Sequence, residues 1–273
     1  MSADDIELGL ALAKAQGGRS GAPVVLEGLR TRSLSFGTLD IQTTMRRSDP
    51  FSLELGYARA MMSFQLFQPL PRHIVIVGLG GGSLSKYCHR QFPDARVTSV
   101  EIDERVIALR EQFHIPPDSD RFRVTHADAT DYLAGMANGN GAADVILLDG
   151  FNAYGLPEAL SSQSFYDNCY AALCDGGVLV ANLLDDDPRV AIHIERIRLA
   201  CSGKLLCTAA RRDGNLIAIG LRHERAPRWH ELHARAQAID ASTGLNLSLH
   251  VNRMESRHRA EMNERRGAND QGV

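Results

Sequence analysis

The chain has 273 residues, 44% of them hydrophobic and 23% charged, with 30 Lys+Arg against 33 Asp+Glu for a formal net charge of -3. Those values exclude whole-chain disorder and leave no global basic field of the kind that holds nucleic acid. No apolar run approaches the roughly 18 residues of a membrane span, and MSADDIELGLALAKAQ carries acids where a secretory signal carries bases, so a soluble, cytoplasmic protein without a membrane or nucleic-acid partner is expected.

Residues 1–22 are small and polar and read as a flexible N-terminus. VVLEG, SLSFG and LDIQTTM, between Val24 and Met45, are short β-prone pieces parted by Gly and Arg, and read as a hairpin or a three-stranded unit. ELGYARAMMSFQL (54–66) has apolar residues at helical spacing. Together these make a small β unit with a linking helix over 23–68.

After Pro69 and Pro71 strands and helices alternate. HIVIVG (73–78) is an unbroken apolar run, as expected of a strand covered on both faces. SLSKYCHRQF (83–92) reads as a helix, ARVTSVEI (95–102) as a strand and DERVIALREQF (103–113) as a helix. FRVTHAD (122–128) and ADVILLD (143–149) are further strands. SQSFYDNCYAALC (162–174) is helical, GGVLVANLL (176–184) is a strand, and Pro188 leads a helix over 188–201. KLLCTAA (204–210) and LIAIGL (216–221) are joined by RRDGN, a hairpin signal. The pattern is that of an α/β, doubly wound, mainly parallel sheet over 69–222, closed by one antiparallel strand at its end. WHELHARAQAIDAST (229–243) reads as a helix over the sheet edge, and the last dozen residues as a polar tail. The five cysteines, Cys88, Cys169, Cys174, Cys201 and Cys207, form no C-x-x-C pair and have no His at ligand spacing. They read as reduced core thiols, and no metal is expected.

The chemistry gathers at the strand ends. Gly78-Leu79-Gly80-Gly81-Gly82-Ser83 follows an apolar strand and opens a helix, where glycines admit a close ligand and the helix offers free N–H groups. Such turns serve several nucleotide-like ligands, so the loop alone is weak. Three acids follow in order. Glu101 ends the second strand, about 20 residues on, where a carboxylate suits ribose hydroxyls. Asp128, before Ala129, ends the third; it suits an adenine amine or, equally, a helix N-cap. Asp149 ends the fourth. In an open α/β sheet all three face one crevice.

This ordered set, from Leu39 to about Leu184, resembles the spermidine synthase (polyamine aminopropyltransferase) family. The resemblance implies a Rossmann-like, class I methyltransferase-like sheet of seven strands with a small N-terminal β unit, and a homodimer. It implies transfer of an aminopropyl group from decarboxylated S-adenosylmethionine to a small-molecule amine. Leu39-Asp40-x-Gln42 resembles the family's Leu-Asp-Gly-x-x-Gln, differing by one in spacing, which makes Gln42 a donor-contact candidate. Gly78, Gly80 and Gly81 fall on the family's glycine loop, Val100-Glu101-Ile102-Asp103 on its Val-Glu-Ile-Asp, and Asp128-Ala129 on its Asp-Ala. Asp149-Gly-Phe-Asn152 falls on its Asp-Ser-Ser-Asp, whose first Asp accepts the proton. Phe165-Tyr166, Gly176-Gly177 and Asn182 fit its later helix and strand.

The departures are as informative. Gly81 replaces the loop Asp that holds the donor's amine, and Asn152 replaces an Asp that grips the acceptor. Tyr57 stands, by spacing, where many members have His. A charge-assisted hydrogen bond is worth roughly 1.5–3 kcal/mol, so two losses weaken amine binding by orders of magnitude unless Asp40, Glu54 or Asp185-Asp186-Asp187 compensate; the last of these also reads as a solvated loop. GFNAYGLPEAL (150–160), with Tyr154, reads as a gate. The alternatives are methyl transfer from intact S-adenosylmethionine, although Ile76 stands where many methyltransferases carry an acid, and a non-catalytic nucleoside-binding relative. A nicotinamide dehydrogenase would need a second catalytic domain, for which the chain has little room.

Overall fold

A computed structural model describes residues 21–36, 41–139, 142–151, 155–210, 214–223 and 227–270. The N-terminal pieces form a three-stranded antiparallel sheet of β1 (Val24–Glu27), β2 (Thr31–Ser35) and β3 (Ile41–Arg46). Helix α1 (Gly56–Met61) tightens into a 3-10 turn, Met62–Leu66, and its Ala60, Met61 and Met62 are fully buried.

The main sheet has seven strands: β4 (His73–Val77), β5 (Arg96–Glu101), β6 (Phe122–His126), β7 (Ala143–Leu148), β8 (Leu173–Leu184), β9 (Leu205–Ala210) and β10 (Asn215–Arg222). Their order is β6-β5-β4-β7-β8-β10-β9. Every residue of β4 is buried. Ile74 and Ile76 face one core, and Val75 and Val77 the other, as a period of two requires. The first core includes α1, helix α2 (Ser83–Gln91) and two C-terminal helices. The second includes α4 (Ala129–Asn138), α5 (Gln163–Ala171) and α6 (Val190–Ala200).

Four local expectations change. β10 runs antiparallel to both β8 and β9 and lies between them, so the antiparallel strand is not at the sheet's end. The α6 crossover skips one position, which β10 fills. The 103–113 segment is helical only over α3 (Glu104–Ile107). Beyond it, backbone bonds mix spans of three, four and five residues, as in Arg110 to Ile107, Phe113 to Leu109 and Ile115 to Arg110, so no regular ladder forms. The strand expected from residue 176 already starts at Leu173. After α7 (Trp229–Thr243), residues read as a polar tail belong to a helix, α8 (Leu247–Asp270). Leu247, Val251 and Met254, at helical spacing, are fully buried and fix its first half. The five cysteines are free thiols, four of them buried.

Candidate active site

The order of strands reverses between β4 and β7, and in open α/β sheets the crevice beyond such a reversal is where ligands bind. Gly78 follows β4 there and Asp149 follows β7. The Asp149 N–H donates to the Val77 carbonyl, and a Cβ on Gly78 would lie 2.4 Å from the Asp149 carbonyl oxygen. Gly78 also has φ +91°, which L side chains rarely adopt, so glycine is required on two counts.

A cavity of about 390 Å³ opens at this point. Gln42, Tyr57, Gly78, Gly80, Glu101, Asp128, Ala129 and Asp149 all line it, so eight of the residues singled out above come together. Phe36, Phe151, Pro157, Ala159 and Leu160 add apolar walls. Asn152 and Tyr154, with Leu39 and Asp40, lie outside the described residues.

Gly81 is not among the lining residues. A Cβ on it would lie 2.7 Å from Thr43 Cγ2 and 2.8 Å from Phe113 Cδ1, so this position faces protein. Its N–H donates to Thr43 Oγ1 at 3.3 Å, which ties the glycine loop to β3. Of the acids considered as compensation, Glu54 pairs with Arg46 at 2.9 Å, and Asp187 pairs with Arg189 at 3.0 Å. Neither lines the cavity.

The three strand-end acids differ in their surroundings. Glu101 accepts from the N–H groups of Leu79 and Asp103, each at 2.9 Å, and so holds the glycine loop against β5. Asp128 caps α4: its Oδ1 accepts from the Thr130 N–H at 2.7 Å and the Thr130 hydroxyl at 2.6 Å. It therefore fulfils the capping alternative while also lining the cavity. Asp103, a fourth carboxylate at the rim, pairs with Arg105 at 2.6 Å, and that guanidinium holds its carboxyl below the usual range.

Asp149 is half-buried, with its carboxyl at the cavity wall. Its Oδ1 accepts from Asn182 Nδ2 at 2.8 Å, and its Oδ2 lies 3.3 Å from the Tyr57 hydroxyl, which also reaches the Gln42 carbonyl at 3.0 Å. Burial pushes the carboxyl up from 3.8 to about 6, and the two hydrogen bonds act against that rise. A carboxylate so placed is ionised at neutral pH yet basic enough to take a proton. The role of Asn182 was not assigned from the sequence, although a polar residue in the apolar run GVLVANLL is a signal, because buried polar groups need partners.

Residues 54–194 match the family described as the spermine/spermidine synthase domain. A polyamine aminopropyltransferase of Chromobacterium violaceum is 35% identical over 226 residues, 82% of this chain and 85% of that protein. The chain belongs to the spermine/spermidine synthase family. Two solved structures share the family fold. A spermidine synthase in complex with a transition-state analogue aligns over 85% of this chain and 80% of its own, with TM-score 0.63 and 20% identity. Human methyltransferase-like protein 13 in complex with SAH aligns over 69% and 89%, with TM-score 0.57 and 28% identity.

Proposed function

We propose that this family member transfers an aminopropyl group from decarboxylated S-adenosylmethionine to a polyamine-type amine, with Asp149 as proton acceptor. The observation that carries the reading is the half-buried, moderately basic carboxylate of Asp149, held by Asn182 and Tyr57 beside the glycine turn in the switch-point cavity. In this reading Glu101 takes the donor's ribose, Asp128 and Ala129 take the adenine, and Gln42, Gly78 and Gly80 lie along the donor. Tyr57 lies on the acceptor side. The acceptor nitrogen attacks the carbon next to the sulfonium, the C–N bond forms as the C–S bond breaks, and the sulfur leaves as a neutral thioether. The nitrogen's surplus proton goes to Asp149 Oδ2 or Oδ1. Sulfonium is already a good leaving group, so proton removal and alignment supply most of the acceleration. The reading includes a homodimer in the cytoplasm that needs no metal; among the described residues no helix is long and apolar enough to cross a membrane.

One observation favours methyl transfer instead. Thr43 and Phe113 close position 81 to any side chain, which leaves no loop acid at the donor's amino-acid end and tolerates a donor carboxylate. Calorimetric titration with decarboxylated and with intact S-adenosylmethionine separates the two. Aminopropyl transfer requires tighter binding of the decarboxylated donor; preference for the intact donor overturns it.

A further inference from the structure

A carboxylate can only accept hydrogen bonds, so Asn182 must turn its Nδ2 toward Asp149. That leaves Asn182 Oδ1 on the far side of the amide, buried and in need of a donor. Asn215, the first residue of β10, supplies it: its Nδ2 lies 2.9 Å from Asn182 Oδ1. Both asparagines are buried, at 3% and 6% exposure, so water does not substitute for either bond. The result is a one-way chain, Asn215 to Asn182 to Asp149, running across the sheet from the hairpin strand into the site.

We propose that Asn215 is a positioning residue for the reaction: through Asn182 it fixes one amide orientation and so holds Asp149 as an ionised, correctly aimed proton acceptor. The proposal rests on the reading of Asp149 as the base. Without the donor on Asn215, only the bond to the Asp149 carboxylate holds the Asn182 amide in this orientation, and its buried oxygen is left unpaired. Its flipped state sets a carbonyl oxygen against the Asp149 carboxylate, which favours the protonated acid. Among the described residues, Tyr57 contacts Asp149 from α1, Glu101, Asp103, Arg105 and Asp128 line the same cavity, and Asp185, Asp186 and Asp187 follow β8 beyond Leu184. None of these changes in an Asn215 variant.

The test is a carbon-13 NMR titration of aspartate-labelled protein, with the Asp149 carboxyl identified by its loss in Asp149→Asn. The wild-type midpoint is expected near 6. Asn215→Leu is expected to raise it by about half a unit to one unit, and Asn215→Asp, which keeps the shape but only accepts, by more. Asn215→Ser retains a donor and is expected to stay near wild type. Asn182→Leu serves as the reference for losing the direct bond. An Asp149 midpoint that moves in Asn182→Leu but in neither the Leu nor the Asp variant of Asn215 overturns the proposal. The acid limb of kcat/KM should move with the midpoint while donor affinity stays constant. Absence of any turnover in the wild type counts against the reaction, and the NMR titration still decides the role of Asn215.

Discussion

At the residue scale, Asp149 combines a functional gain with a stability cost. Its carboxyl is raised from 3.8 to about 6 because burial disfavours the charge. The folded protein therefore binds this proton more tightly than the unfolded chain. Its stabilising effect is present below pH 3.8 and is lost as pH rises through about 6. Asp149→Asn is thus expected to be more stable than wild type at pH 7.5, by up to about 3 kcal/mol, with the gap closing toward pH 4. Thermal unfolding across that range checks it. The same substitution is expected to lower turnover by about 10²–10⁴-fold and leave donor affinity nearly unchanged; wild-type turnover would remove Asp149 as the base. Gly78→Ala is expected to cost on the order of 3 kcal/mol or more, because its Cβ meets backbone and its φ is positive. Gly81→Asp, which restores the residue of the resembled loop, is expected to destabilise and not to improve donor binding, since Thr43 and Phe113 occupy the space; a tighter-binding Gly81→Asp protein contradicts that packing.

At the element scale, α2 carries a buried cation. Lys86 is fully buried, donates to the Phe113 carbonyl at 2.7 Å, and is pushed by burial from 10.5 down to about 7. The unfolded chain holds that proton more tightly, so stability rises with pH between about 7 and 10.5. Lys86→Met is expected to raise stability at pH 7 by about 1–3 kcal/mol despite the lost hydrogen bond, and by less at pH 10; urea unfolding at the two pH values measures this. In α8, Met254 is fully buried, while His250 bonds Thr208 at 3.0 Å and Arg253 bonds the Ala209 carbonyl at 2.6 Å, both on β9. Met254→Ala is expected to cost about 2–5 kcal/mol, which thermal unfolding checks.

Elements with a strong period were legible: HIVIV and DVILL read as doubly covered strands, and both sit near the centre of the sheet. So were the three strand-end acids, because chain order places them at one edge of a parallel sheet. Three kinds of feature were not. The place of β10 depends on a pairing between strands that residues 215–222 do not encode alone. The short α3 reflects Phe113 and Ile115 turning inward over Gly81 and Gly82, a tertiary demand on an otherwise helical run. The use of Asn182 depends on the register of β8 beside β7, where Leu148 pairs with Ala181 and so brings the next two residues, Asp149 and Asn182, together.

At the scale of the whole molecule, two sheets meet at one site. The seven-stranded sheet supplies the glycine turn and the acids, while β3 and α1 supply Gln42, Thr43 and Tyr57. The shared spermidine synthase fold and the sequence kinship with a polyamine aminopropyltransferase agree with aminopropyl transfer. The glycine filling position 81 is the feature that pulls toward methyl transfer. Product mass decides between them most directly. The purified protein is incubated with equal amounts of decarboxylated and intact S-adenosylmethionine and a mixture of di- and triamines, and the products are weighed by mass spectrometry. Amines heavier by an aminopropyl group, absent with Asp149→Asn, are the expected result; amines or protein heavier by a methyl group, with no aminopropyl adduct, would contradict it.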